Sequence, residues 1–174
     1  PLVSNIGEGG GFWRSRDDLA APDIQAHVAP TGFYDNGLHE ARERCFTAAP
    51  TLVNVASRGS VRLRSTDPHW HPAIDAAYYD DPADLDAMIA GVRRMLEIVH
   101  TGPLSQVLEG PLLDTMRGWG SDPSDALIAD HVRRHTQTLY HPVGTCAMGG
   151  DERDRKSTRL NSSHTDISRM PSSA

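Results

Sequence analysis

The period of the hydrophobic pattern changes once along this chain, close to residue 80, and that change constrains the fold more than any other feature. Before it, apolar and polar residues alternate. In "DIQAHVAP", Ile24, Ala26 and Val28 share one face while Gln25 and His27 take the other, which is the two-residue period of a strand. "SVRLRS" repeats the alternation over 60–65, with Val61 and Leu63 against Arg62 and Arg64. "FTAAPTLVNV" over 46–55 is a third strand candidate, and its Pro50 predicts an edge or a bulge because proline cannot donate to a ladder. The stretches "PTGFYDNG" and "NVASRGS" between them carry the Gly, Asn and Asp of turns, so the strands return on one another in an antiparallel arrangement.

After "DPHWHPAIDAAYYDDP" the repeat lengthens to that of a helix. Asp81 is placed to cap, Pro82 suits the first helical position and Asp84 adds favourable charge to the first turn. Leu85, Met88, Ile89, Val92, Leu96 and Val99 then form one stripe, and Gly102 and Pro103 close it, predicting a helix near Ala83 to Val99. The pattern recurs in "SDPSDALIADHVRRH", where Asp122 is expected to cap, Pro123 to open, and Leu127, Ile128 and Val132 to face the core of a helix near Ser124 to Thr136. Sheet first and helices after is an α+β layout, an antiparallel sheet with helices packed on one face.

With 174 residues, 38% of them hydrophobic, the chain can bury one real core. A net charge of −6 argues against nucleic acid or an anionic membrane surface as the main partner, since both are held by clustered Lys and Arg. No apolar run is long enough for a transmembrane helix. Cys45 and Cys146 are too few for a disulfide scaffold and suit a reducing compartment. The last twenty residues, "RKSTRLNSSHTDISRMPSSA", are Ser-rich and basic in an acidic chain and show neither period. The expectation is a domain over 1–154, truncated at both ends, followed over 155–174 by a non-native or disordered tail.

Nine histidines raise the question of a metal. His131 and His135, four apart on the second helix, share a face, but "HVRRH" lacks the glutamate of the zinc-protease pattern and no third ligand is spaced nearby. His69 and His71 in "HWH" could project from one side of an extended segment. The expectation is packing or surface histidines and no metal, the rival being a small non-catalytic domain that binds a metal or ligand through them. Cys146 reads as a small buried side chain, with only His141 near in sequence to lower its pKa. The glycines of "GEGGGF" precede a strand rather than open a helix, so they suit a strand entry and not a phosphate cradle. In "TLYHPVGTCAMG", Pro142 pushes His141 off the helical region, the posture of a ring that projects from extended backbone.

In order along the chain, "GGGFWRS", "PDIQAHVAP", "SRGSVRLRSTDP", "HPAIDAAYYDDPADLDAMIAGVRRMLEI" and "YHPVGTCAMG" resemble the substrate-binding half of the glucose–methanol–choline (GMC) oxidoreductases, in particular the choline- and alcohol-dehydrogenase-like members. The resemblance covers Pro1 to about Gly149. It implies a small alcohol as substrate and FAD as cofactor, held mainly by a dinucleotide fold that would precede Pro1. It also implies that His141, at the histidine of "HPxGT", is the catalytic base that takes the hydroxyl proton while hydride leaves the substrate carbon. Gly144 and Thr145 would then form a turn passing close to the flavin, and Glu8 would match an acidic position facing the substrate cavity. The resemblance implies a further segment after "CAMG" that brings a second histidine or an asparagine. The fragment by itself is expected to be inactive.

Overall fold

The computed structural model describes residues 5–38, 41 and 43–144. They fall in two compact units, one built from the chain up to Gly59 together with Ala76–Gln137, the other from Ser60–Asp75 and the chain from Thr138 onward. Cys146 and the Ser-rich stretch from Arg155 lie outside the described residues.

The first unit holds a three-stranded antiparallel sheet of β1 (Gly9–Trp13), β2 (Ile24–Ala29) and β3 (Thr47–Leu52), in that order across the sheet. The alternation read in "DIQAHVAP" is the reason β2 sits at the centre: Ile24 and Ala26 are buried on one face, while Gln25 and His27 point to the other. Pro50 lies opposite Ala26 on β3, which is an edge strand as its proline requires. The glycines before Phe12 are part of a strand rather than its entry. A Cβ on Gly10 would stand 2.8 Å from the carbonyl oxygen of Ala26, so β1 approaches β2 at a point where only glycine fits. The strand thus begins within the glycines, where low strand propensity gives no signal and pairing with the central strand overrides it.

Helix α1 (Pro82–Val99) starts as its sequence requires, with the Asp81 carboxylate accepting from the Ala83 amide at 3.0 Å and Pro82 in the first turn. It is buried on two sides. Gly91 faces the sheet, against Ile24 and Pro50, and Ala87 and Met95 share that face by their four-residue spacing. The larger residues Leu85, Met88, Ile89, Val92 and Leu96 turn instead toward α2 (Asp125–His135), where Val92 joins Ile128 and Val132 in the main apolar cluster. The unit is therefore layered as sheet, α1, α2. Each fully buried side chain of this kind, such as Ile24 or Ile128, contributes about 1.5–3 kcal/mol.

The start of α2 differs from the expectation. Ser124 is the cap, accepting from the Leu127 amide, and Asp122 does not cap. Asp122 and Asp125 instead receive the guanidinium of Arg93 on α1, through Nη1 at 2.6 Å and Nη2 at 2.6 Å respectively. The helix therefore begins at Asp125 with a neutral cap.

In the second unit β4 (Ser60–Arg62) pairs antiparallel with β5 (Ala73–Asp75) as a separate two-stranded sheet. The strand expected over 60–65 stops at Arg62, and Leu63 beyond it is 89% exposed. Its alternation has no described face to be buried against, so the pattern alone does not extend the ladder. The chain between the two strands turns at Asp67, whose carboxylate accepts from the His69 amide at 3.0 Å and whose carbonyl accepts from Trp70.

Candidate functional site

His141 follows α2 by six residues and belongs to the second unit. The helix ends at His135. Thr136 leaves it in an extended conformation (ψ 130), and its amide still bonds the Val132 carbonyl at 2.9 Å. Two residues on, the Thr138 hydroxyl accepts from the Tyr140 amide at 2.9 Å. Tyr140 itself has φ 62, the left-handed region that a bulky side chain rarely enters. His141, Pro142, Val143 and Gly144 are all exposed, and Gly144 has φ 97 with no described atom within 4 Å of the place a Cβ would take. The segment thus presents an imidazole beside bare backbone, an arrangement against which a flat ring system can rest. Thr145 lies outside the described residues.

Glu8 stands in the first unit, exposed, with its amide bonded to the Val28 carbonyl at 3.0 Å. That bond continues the β1–β2 pairing by one residue. The alternation of the strands then puts Glu8, Phe12, Gln25 and His27 on the face of the sheet away from α1. Phe12 is 62% exposed there, and the His27 Nε2 atom is buried with no hydrogen-bond partner among the described residues. A buried ring nitrogen without a partner is costly unless a group outside the described chain meets it. The sequence carries a signal for His27, a histidine at the centre of an apolar-alternating strand, but the alternation alone marks it only as the polar side of that strand.

The histidine pair on α2 has a structural explanation. His131 Nδ1 and His135 Nε2 share the hydroxyl of Thr115, at 2.8 and 2.9 Å, and the His131 ring meets the edge of Trp119. Burial, with the neighbouring His135 in second place, pushes the His131 pKa down to about 4, so the ring is neutral at pH 7. His69 and His71 are exposed in the turn before β5. Among the described residues no three His, Cys, Asp or Glu side chains are grouped to hold a metal ion. A cleft of about 460 Å³ between β1 and α1 is lined by Arg14, Arg93 and Arg94. Their guanidinium groups are already engaged by the Ala20 carbonyl, by Asp122 and Asp125, and by Glu97. No described helix is long and apolar enough to cross a membrane.

Comparison with known proteins gives the sequence context of these residues. Residues 55–162, which include His141, match the GMC oxidoreductase family in the region that forms its C-terminal part. An "Uncharacterized GMC-type oxidoreductase" of Mycobacterium bovis is 40% identical over 153 residues, which is 87% of this chain and 28% of the relative. An "Oxygen-dependent choline dehydrogenase" of Escherichia coli is 38% identical over 155 residues, 86% of this chain and 26% of the relative. The chain spans about a quarter of the length of these curated relatives.

Proposed function

The chain belongs to the GMC oxidoreductase family, and from that premise we propose that it is the substrate side of an FAD-dependent enzyme that oxidises an alcohol CH–OH group, with His141 as the base. The observation that carries the reading is the placement of His141: an exposed imidazole on a turn whose backbone is open at Gly144. A bound FAD would supply acceptance of a hydride from the substrate carbon. Of the described residues, His141 and the backbone at Gly144 would face it.

The chain's own chemistry is proton removal. An alcohol becomes a good hydride donor only as its hydroxyl proton leaves, so a ring nitrogen of His141 takes that proton while the carbon–oxygen bond becomes a carbonyl. The imidazolium so formed carries positive charge next to the developing alkoxide and stabilises it. Glu8, exposed at the start of β1, is proposed as a substrate contact. The substrate is proposed to be a small alcohol, as the printed name of the choline dehydrogenase relative suggests. Stopped-flow reduction of the flavin by an alcohol, comparing the FAD-loaded full-length protein with its His141→Ala variant, tests the assignment: reduction at the parent rate would overturn it.

A further inference from the structure

We propose that Asn36–Gly37 is a site of covalent modification, where the asparagine side chain deamidates through a cyclic imide at a rate set by the turn that holds it. The sequence contains one Asn–Gly pair, inside "PTGFYDNG". Asp35 and Asn36 have φ 49 and 54, and the Gly37 amide donates to the Tyr34 carbonyl at 3.0 Å, so Tyr34 to Gly37 form a type I′ turn. Gly37 continues in left-handed backbone with φ 72. Asparagine and glycine enter that region most readily. The turn's own demand therefore sets side by side an asparagine amide and a backbone nitrogen that no Cβ shields, and both residues are exposed.

The reaction needs only water. The Gly37 nitrogen gives up its proton and attacks Asn36 Cγ; the new C–N bond closes the imide ring, the Cγ–Nδ2 bond breaks, and ammonia leaves with that proton. Water then opens either carbonyl of the ring, leaving aspartate or isoaspartate at position 36 with an added negative charge. In the closed turn the attack is blocked. Asn36 has ψ 25, which swings the Gly37 nitrogen toward the residue's own amide nitrogen and away from its Cβ, and the Gly37 N–H is engaged by Tyr34. The turn must open before the ring can close. Opening is resisted by a second tie, the Asn36 amide donating at 2.5 Å to Oε1 of Gln137, which lies 101 residues along the chain in the same unit. An exposed turn opens far more often than the whole fold does, so the folded protein reacts at a rate that Gln137 holds down. Isoaspartate lengthens the main chain inside the turn and removes the spacing that the Tyr34–Gly37 bond needs. The modification thereby loosens the β2–β3 connection from the chain just past α2.

The test incubates the full-length protein in mildly alkaline buffer and follows each asparagine by peptide mapping, with isoaspartate-specific methylation as a second readout. Position 36 should deamidate ahead of Asn5 and Asn54, whose next residues, Ile6 and Val55, are β-branched and crowd the attacking nitrogen. Gln137→Ala should speed the loss at position 36 by about fivefold, the change in open population that one hydrogen bond of ordinary net strength makes. Gln137→Glu keeps an acceptor oxygen and should not speed it. In denaturant, where the tie does not exist, the parent and Gln137→Ala should react at the same rate. Loss at position 36 no faster than at Asn5 or Asn54 in the folded protein overturns the site. An unchanged rate in Gln137→Ala, or an acceleration that persists in denaturant, overturns the control by the turn.

Discussion

Gly91 of α1 lies so close to Pro50 of β3 that a Cβ built on the glycine would stand 3.0 Å from the Cβ of the proline, and 3.5 Å from two carbons of Ile24. A glycine in mid-helix costs about 1 kcal/mol against alanine. Here the small residue lets the helix rest directly on the sheet and seal Ile24. Gly91→Val should therefore destabilise the protein by about 1–3 kcal/mol through overpacking. Gly91→Ala should lose less, because its helix propensity gain offsets part of the strain. The midpoints of denaturant unfolding check the order, and a valine variant as stable as the parent would show that the helix can lift without cost.

Asp84 joins a second pair of elements, accepting from the amides of Ala56 at 2.8 Å and Ser57 at 2.9 Å while only 3% exposed. Burial alone would raise its pKa, but the hydrogen bonds from Ser57 and Ala56 together outweigh it and the carboxyl is held below its ordinary value. A depressed carboxyl contributes stability that is present above its unfolded pKa, about 4, and is lost as pH falls through the lower folded value. Asp84→Asn should cost about 1–3 kcal/mol at pH 7. It should also flatten the fall in stability below about pH 4. Unfolding midpoints from pH 2.5 to 7 measure both effects, and an acid limb as steep as the parent's would remove Asp84 as its source.

His131 makes the opposite kind of group, a base held neutral. Its pKa is lowered to about 4, chiefly by burial against the Trp119 side of the cluster and next by the charge of His135. The unfolded chain takes up the proton near pH 6.5 and the folded chain does not until well below, so stability is full above about pH 6.5 and falls as pH drops toward 4. The slope is at most about 1.4 kcal/mol per pH unit. His131→Gln should lower stability at pH 7.5 yet lose less on going to pH 5 than the parent does. Equal losses in both proteins would place the titration elsewhere.

The strands and helices that sequence patterning exposed are those whose period is carried by large side chains. Ile24, Ala26 and Val28 showed β2, and Leu85 to Leu96 showed the α2-facing stripe of α1. The sheet-facing side of α1 was hidden because Ala87 and Gly91 are small, and close packing, not hydrophobicity, is their contribution. The glycine start of β1 was hidden for the same reason, since Gly10 meets the Ala26 carbonyl across the ladder. His141 was legible only through its neighbours, since a histidine before a proline is an ordinary helix exit until the whole run of segments is set beside a family. Tyr79 was not legible at all. Its contact with Thr136 spans 57 residues, and no local pattern encodes a contact of that separation.

The proposed base and the α2 histidines differ in their surroundings. His131 and His135 are satisfied by Thr115 within the first unit, whereas His141 is exposed on its turn. In the FAD-loaded full-length protein, His141→Ala should reduce the rate of flavin reduction by about 100- to 10,000-fold at neutral pH, the range a positioned base contributes. The flavin should remain bound, because the variant removes a proton acceptor and not a phosphate contact, and its absorbance after gel filtration verifies this. His131→Ala and His135→Ala should each cost less than about tenfold, with their effect in unfolding midpoints instead, since they remove packing and a shared hydrogen bond. Single-turnover reduction of the three variants by one alcohol gives the ranking directly. A loss from His131→Ala or His135→Ala larger than that from His141→Ala, with flavin retained, would move the chemistry to the α2 pair and take the base role away from the turn.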